Sequence, residues 1–135
     1  MGGPIIGFPD GVAVVRAYLR DALVARGIDV PVGTRVPNPR PARFVRLERI
    51  GGTRLDRITD RPRIDVHCWG ADDEQVADLV GVVRPLMLAI PGYRGVTAYD
   101  VAEVGGPNTL PDPASDQPRI VFAVEVSLRG APLAP

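Results

Sequence analysis

The sequence predicts an α+β fold: an antiparallel or mixed β-sheet of four to five strands with two helices packed on one face. Three observations predict it. Two segments carry apolar residues at helical spacing, the other apolar segments alternate with period two, and the order along the chain is α-β-β-β-α-β-β. Strands that alternate bury one face and leave the other wet, as in antiparallel or mixed sheets, whereas a parallel sheet covered on both sides reads as continuous apolar runs. A length of 135 residues fits one domain.

Gly2, Gly3, Pro4 and Gly7 make residues 1–8 an extended N-terminal arm, with Ile5, Ile6 and Phe8 as its anchors. Val12, Val15, Leu19, Ala22 and Leu23 then share one stripe of a helix over residues 10–26, with Asp10 as N-cap and Gly27 just past its end. Pro31, Pro37, Pro39 and Pro41 keep residues 28–42 out of any central ladder, so this stretch predicts a short edge strand at 30–36 and a stiff linker. Residues 43–50 predict a strand with Val45 and Leu47 on one face and Phe44, Arg46 and Glu48 on the other. Gly51-Gly52 opens a polar hairpin tip, and residues 63–69 return as a strand with Ile64, Val66 and Cys68 opposite Asp65, His67 and Trp69.

The second helix starts at an Asp72 N-cap with Gln75 in the capping-box position and Asp73 and Glu74 in its first turn. Val76, Leu79, Val80, Val83, Met87 and Ile90 form its buried stripe; Pro85 predicts a kink and Pro91-Gly92 the stop. Residues 96–104 read as a strand and residues 105–118, with four prolines, as a long loop. Ile120, Phe122, Val124, Val126 and Leu128 alternate through the last strand, and residues 130–135 read as a loose tail.

Composition excludes several classes of chemistry. The 16 basic residues are all Arg, so there is no phosphate-loop, Schiff-base or general-base lysine, and 16 acidic residues bring the net charge to zero. That balance removes a global electrostatic reason to bind nucleic acid or an anionic membrane. One His and one Cys cannot make a zinc set, a disulfide framework or a CxxC pair within one chain. No run of apolar residues reaches membrane-spanning length, and residues 1–10 lack the pattern of a signal peptide, so the expectation is a soluble protein made in a cytoplasm.

Asp65 and His67 share a strand face and are the one pair with the chemistry for base catalysis. The reading favours His67 as an exposed strand residue beside Trp69, and Cys68 as a small buried hydrophobe. Asp72, Asp73 and Glu74 read as cap chemistry rather than metal ligands, and the Gly pairs at 51–52 and 105–106 as hairpin ends rather than phosphate loops. No catalytic, cofactor or metal residue is assigned. Nine arginines against three acids occupy residues 35–63, whereas Asp100, Glu103, Asp112, Asp116 and Glu125 make the later part acidic. Such asymmetry suits either attraction of nucleic acid or docking of one subunit's basic edge on its neighbour's acidic edge, with Arg54, Arg57, Asp112 and Asp116 as the candidate charged interface residues and Phe44 and Trp69 as the apolar ones.

Four stretches carry a resemblance to a known family. They are Phe8-Pro9-Asp10 leading into the first helix, Arg43-Phe44-Val45-Arg46-Leu47 running to Gly51-Gly52, Ile64 to Gly70 entering the second helix, and Gln117 to Gly130 at the end. Over residues 8–130 the chain resembles, in layout and texture, the tail terminator (tail completion) proteins of long-tailed bacteriophages of actinobacterial hosts. The resemblance implies a non-enzymatic α+β subunit without metal or cofactor. It implies a homohexameric ring that caps the tail tube at the head-proximal end of the virion tail, assembled in the host cytoplasm. The implied partners are other copies of the chain, the major tail-tube protein and the head-to-tail stopper or connector, with genomic DNA only passing through the lumen and no membrane. The alternatives are a head-to-tail adaptor or stopper subunit and, from another class, a small hydrolase using Asp65 and His67.

Overall fold

Caps and turns divide the chain before any packing is considered. The computed structural model describes residues 3–93 and 97–134. Helix α1 (Gly11–Ala25) begins where the Asp10 carboxylate accepts the amides of Val12 and Ala13, at 3.1 and 3.2 Å. It ends in a Schellman motif, with Ile28 N–H donating to Leu23 O and Gly27 N–H to Val24 O. Helix α2 (Asp73–Leu88) begins at Asp72, whose side chain accepts Gln75 N–H at 2.8 Å, and Gln75 Oε1 in turn accepts Ala71 N–H. The helix continues past Pro85 to Leu88 rather than to residue 90. Pro85 lies on the solvent side, one turn after an exposed Gly81, so the carbonyl it leaves without a donor is not buried.

Strands β1 (Ile6–Gly7), β2 (Val32–Gly33), β3 (Phe44–Asp56), β4 (Thr59–Trp69), β5 (Ala98–Thr109), β6 (Arg119–Arg129) and β7 (Ala131–Pro132) complete the chain. Five of them form one mixed sheet in the order β2-β3-β4-β6-β5, all pairs antiparallel except β2–β3. The fold is therefore α+β, with the expected α-β-β-β-α-β-β order. The core lies between the sheet and both helices: Val15, Leu19 and Leu23 of α1 and Val76, Leu79, Val83 and Met87 of α2 meet Ile64, Val66, Cys68, Phe122, Val124 and Val126. Tyr18 Oη, which burial pushes above its ordinary pKa, donates to Leu86 O at 2.6 Å and ties α1 to the end of α2.

Four segments differ from the sequence reading. The polar tip after Gly51 is strand: β3 runs on to Asp56, and only Arg57 and Ile58 turn. Gly51 and Gly52, with φ of 67° and 119°, make a bulge between Arg49 and Gly52 instead of a turn. A Cβ on Gly52 would fall 2.4 Å from Arg61 O, so glycine is required there. Strand β5 reaches Thr109 rather than residue 104, because register shifts after Glu103 and after Gly105 absorb Gly106 and Pro107 on an edge strand. The loop before β6 is correspondingly shorter, residues 110–118. The third difference is the C-terminal tail, which is not loose: β7 pairs with β1 in a two-stranded ribbon, and Leu133 N–H donates to Ile5 O at 2.8 Å. The expected edge strand at 30–36 contracts to Val32–Gly33. Val96, expected to open β5, lies outside the described residues.

Candidate functional site

The sheet face away from the helices carries its own small aromatic cluster. Phe44 and Trp69 are paired directly across β3 and β4, with ring centroids 4.4 Å apart and planes 15° from parallel. They are 0% and 2% exposed. Loop 110–118 folds back over them, and Asp112 is its pivot. One carboxylate oxygen accepts Trp69 Nε1–H at 3.1 Å and Arg40 Nη1–H at 2.9 Å, while the other accepts Ala114 N–H at 2.9 Å. Arg40 also reaches Ser115 Oγ and Gln117 Oε1, and Gln117 Nε2 donates to Ala42 O at 2.9 Å. The Ala114 amide, with Arg40 and Trp69, holds the Asp112 carboxyl well below the usual carboxylate range against the opposing effect of burial. The Arg40 and Arg119 guanidiniums lie 5.7 Å from the Phe44 and Trp69 ring centres, so cations close the cluster from both sides.

Of the six residues expected to make contacts, Phe44, Trp69 and Asp112 are thus interior to the subunit. The apolar docking face read from Phe44 and Trp69 is already covered by the chain's own loop. Alternation located both rings on the helix-free face, but it carries no information about a loop that returns from far along the chain to cover them. Asp116 is exposed at that loop's tip with φ 58°, and Asp116 N–H donates to Asp112 O. Arg54 and Arg57 lie at the other end of β3, about 30 Å away along the strand. Arg57 Nη2 donates to Pro4 O at 3.0 Å and ties the hairpin turn to the N-terminal arm, while Arg54 is exposed and makes no ion pair among the described residues.

The charge segregation of the sequence is largely cancelled by folding. Asp100 and Glu125 both face Arg61, at 3.4 and 3.8 Å, Glu103 meets Arg84 and Asp112 meets Arg40. Four of the five acids expected on the acidic edge therefore have an arginine of the same chain beside them. Arg49–Asp60, Arg46–Glu48 and Arg63–Asp65 pair three more arginines of the basic stretch, while Arg35, Arg43 and Arg54 make no ion pair among the described residues.

Asp65 and His67 share their strand face, but no hydrogen bond joins them, and the Asp65 carboxylate faces Arg63 Nε at 3.4 Å. His67 is half-buried rather than exposed, 5.8 Å from the Trp69 ring. Both its ring nitrogens are shut off from solvent without a partner among the described residues. Burial lowers its pKa from 6.5, Arg119 and Arg46 lower it further, and Glu48 and Asp65 oppose them, so the ring is neutral at pH 7. Cys68 is fully buried in the core, as its strand face predicts, and burial pushes its thiol up to about 12. Among the described residues no group of three or more His, Cys, Asp and Glu is arranged to hold a metal ion, and no helix is long and apolar enough to cross a membrane.

One feature escaped the sequence reading. Between α1 and residues 27–32 an open cleft of about 520 Å³ is walled by Leu23, Val24, Ile28 and Pro31, with Arg16 and Arg20 on the helix outnumbering the single acid of its lining, Asp29. Arg16 Nε donates to Val32 O at 3.0 Å and holds the cleft's far wall to the helix. Its signal was the spacing of Arg16, Arg20 and Val24 every fourth residue, an outward stripe on a helix judged only by its inward one. The chain matches no protein-family model and no curated protein.

Proposed function

We propose that this chain is a non-enzymatic, ring-forming subunit, and specifically a tail terminator of a long-tailed bacteriophage. In this reading six copies close on the head-proximal end of the tail tube, end its growth and present the surface that the head connector meets. The observation that carries the reading is the division of the molecule into unlike surfaces. The helices occupy one face of the sheet, paired charges cover much of the other, and the outermost strands leave two different edges open: β3 beyond Arg46 and the outer side of β5. A ring subunit needs two unlike flanks, because a head-to-tail interface joins different surfaces and closes when its rotation permits. Arg–carboxylate pairs on an open sheet face keep that face soluble without giving it a strong field. The geometry around Asp65 and His67 gives the hydrolase alternative no oriented base.

The test is growth of the tail-tube protein encoded in the same genome, with and without this chain. Tubes should stop at the end that carries a six-fold ring of this chain, visible by electron microscopy. Loss of the gene should give filled heads and unjoined tails of irregular length. Tubes that grow equally in its presence, or a ring of another order, refute the reading. An adaptor subunit would instead bind the head connector and leave tube growth unchanged.

A further inference from the structure

Among the exposed charges that no ion pair inside the subunit neutralises, two sets of opposite sign lie on the helices. Arg16 and Arg20 line the apolar cleft beside α1, and Arg20 is exposed without an ion pair or hydrogen bond among the described residues. Val24, on the same wall, is 75% exposed. On α2, Glu74, Ala77, Asp78 and Gly81 form an outward stripe, all exposed, and neither carboxylate has a partner among the described residues. Gly81 has open space where a side chain would stand. Glu74 and Asp78 are four residues apart, as are Arg16 and Arg20, so each pair of charges is separated by the same rise of about 6 Å. Ala77 and Gly81 leave room for a second surface to approach the helix.

We propose that the α1 cleft is a socket for the acidic α2 stripe of a second copy of this chain. The contact rests on the ring-subunit reading and gives it an interface. It joins two different surfaces of the subunit, one over β2 and β3 and the other over β4, β5 and β6, so each copy offers both a socket and a stripe to its neighbours. The Arg16 and Arg20 guanidiniums meet Glu74 and Asp78, and Val24 and Ile28 lose water against the small residues of the stripe. Electrostatic complementarity sets the register and disfavours like-with-like docking.

The test is sedimentation velocity of the full chain at low salt over a range of protein concentrations. It compares wild type, Arg20→Glu, Asp78→Arg, the double variant, and an equimolar mixture of the two single variants. Arg20 and Asp78 are exposed and unpaired among the described residues, so unchanged thermal unfolding certifies that each variant is folded. Each single variant should lose self-association by roughly tenfold or more, because it sets like charges against each other. The double variant and the mixture should regain it, since a charge-reversed socket accepts a charge-reversed stripe and the other contact in the mixture is wild type. Single variants that associate like wild type, or a mixture that does not recover, overturn the proposal. If such variants still form rings on tail tubes, the ring reading stands and only this contact falls. A wild-type chain that stays monomeric at high concentration and on the tube refutes both.

Discussion

Asp112→Ala should unlatch loop 110–118 and destabilise the protein by about 3 kcal/mol. The magnitude follows from what the carboxylate holds. Trp69 Nε1–H would be left in a buried site without an acceptor, which costs roughly 1–3 kcal/mol. The turn closed by Ala114 N–H loses a hydrogen bond of about 0.5–1.5 kcal/mol. Arg40 is 31% exposed, so solvent screens its loss to roughly 1 kcal/mol or less. Water entering beside Trp69 recovers part of this sum. For a chain of this length the loss lowers Tm by about 10 °C. Trp69 is the only tryptophan, so its emission reads the latch directly and should shift to the red in the native variant. The native carboxyl lies below its ordinary value of 3.8, so its stabilisation is complete at pH 7 and drains away as the pH falls below 3.8. The gap between wild type and Asp112→Ala should therefore narrow in acid. A variant with unchanged midpoint and unchanged emission would show that the loop is held by something other than this carboxylate.

Other consequences are open to simple measurement. Cys68, buried and with its thiol pushed up to about 12, should resist thiol reagents at pH 8 until denaturant is added; immediate stoichiometric labelling of native protein would place β4 with the wrong face inward. His67→Phe should be neutral or stabilising at pH 7, because it removes two buried nitrogens that have no partner among the described residues. The folded His67 has a pKa below 6.5, so the unfolded chain binds the proton first and wild type loses stability as the pH falls below 6.5; chemical unfolding at pH 7 and 5 should show that loss reduced in the variant. Gly52→Ala should cost more than about 1 kcal/mol in thermal unfolding, since its Cβ would meet Arg61 O at 2.4 Å with φ at 119°; an unchanged midpoint would mean that the bulge relaxes freely.

What the sequence disclosed and what it withheld divide along one physical line. Helix ends were legible because caps are local: Asp10, Gly27, Asp72 and Gln75 act on amides and carbonyls within a turn of themselves. The core was legible because periodicity reports which face is apolar, and Val15, Leu19, Leu23, Ile64, Val66, Cys68 and Phe122 all pack where their spacing puts them. The hairpin after Gly51 and the end of β5 were misread because glycine and proline mark a bulge on an edge strand with the same letters as a turn. The ladder partner that decides between them is far away in sequence: Asn108 and Thr109 are strand because Val121 and Ile120 pair with them. The covering of Phe44 and Trp69 was hidden for the same reason, since Asp112 lies 43 residues beyond Trp69.

Charge shows the difference most sharply, because pairing is a property of space and not of order along the chain. A run of nine arginines followed later by five acids reads as two opposed edges, yet antiparallel pairing lays β4, β6 and β5 side by side and brings Arg61 against Asp100 and Glu125. Exposed pairs of this kind are worth about 0–1 kcal/mol each to the fold, so their main effect is to leave the sheet without a strong field of its own. Among the described residues, the exposed charges without an ion pair include two sets in which a residue one helical turn away shares the sign: Arg16 and Arg20 on α1, Glu74 and Asp78 on α2. A helix repeats about every 3.6 residues, so charges placed four apart add on one face, where in a strand neighbours from the next strand cancel them. In the proposed contact between copies the charge complementarity therefore comes from the helices, and salt screens it just as it screens the exposed hairpin arginines Arg54 and Arg57.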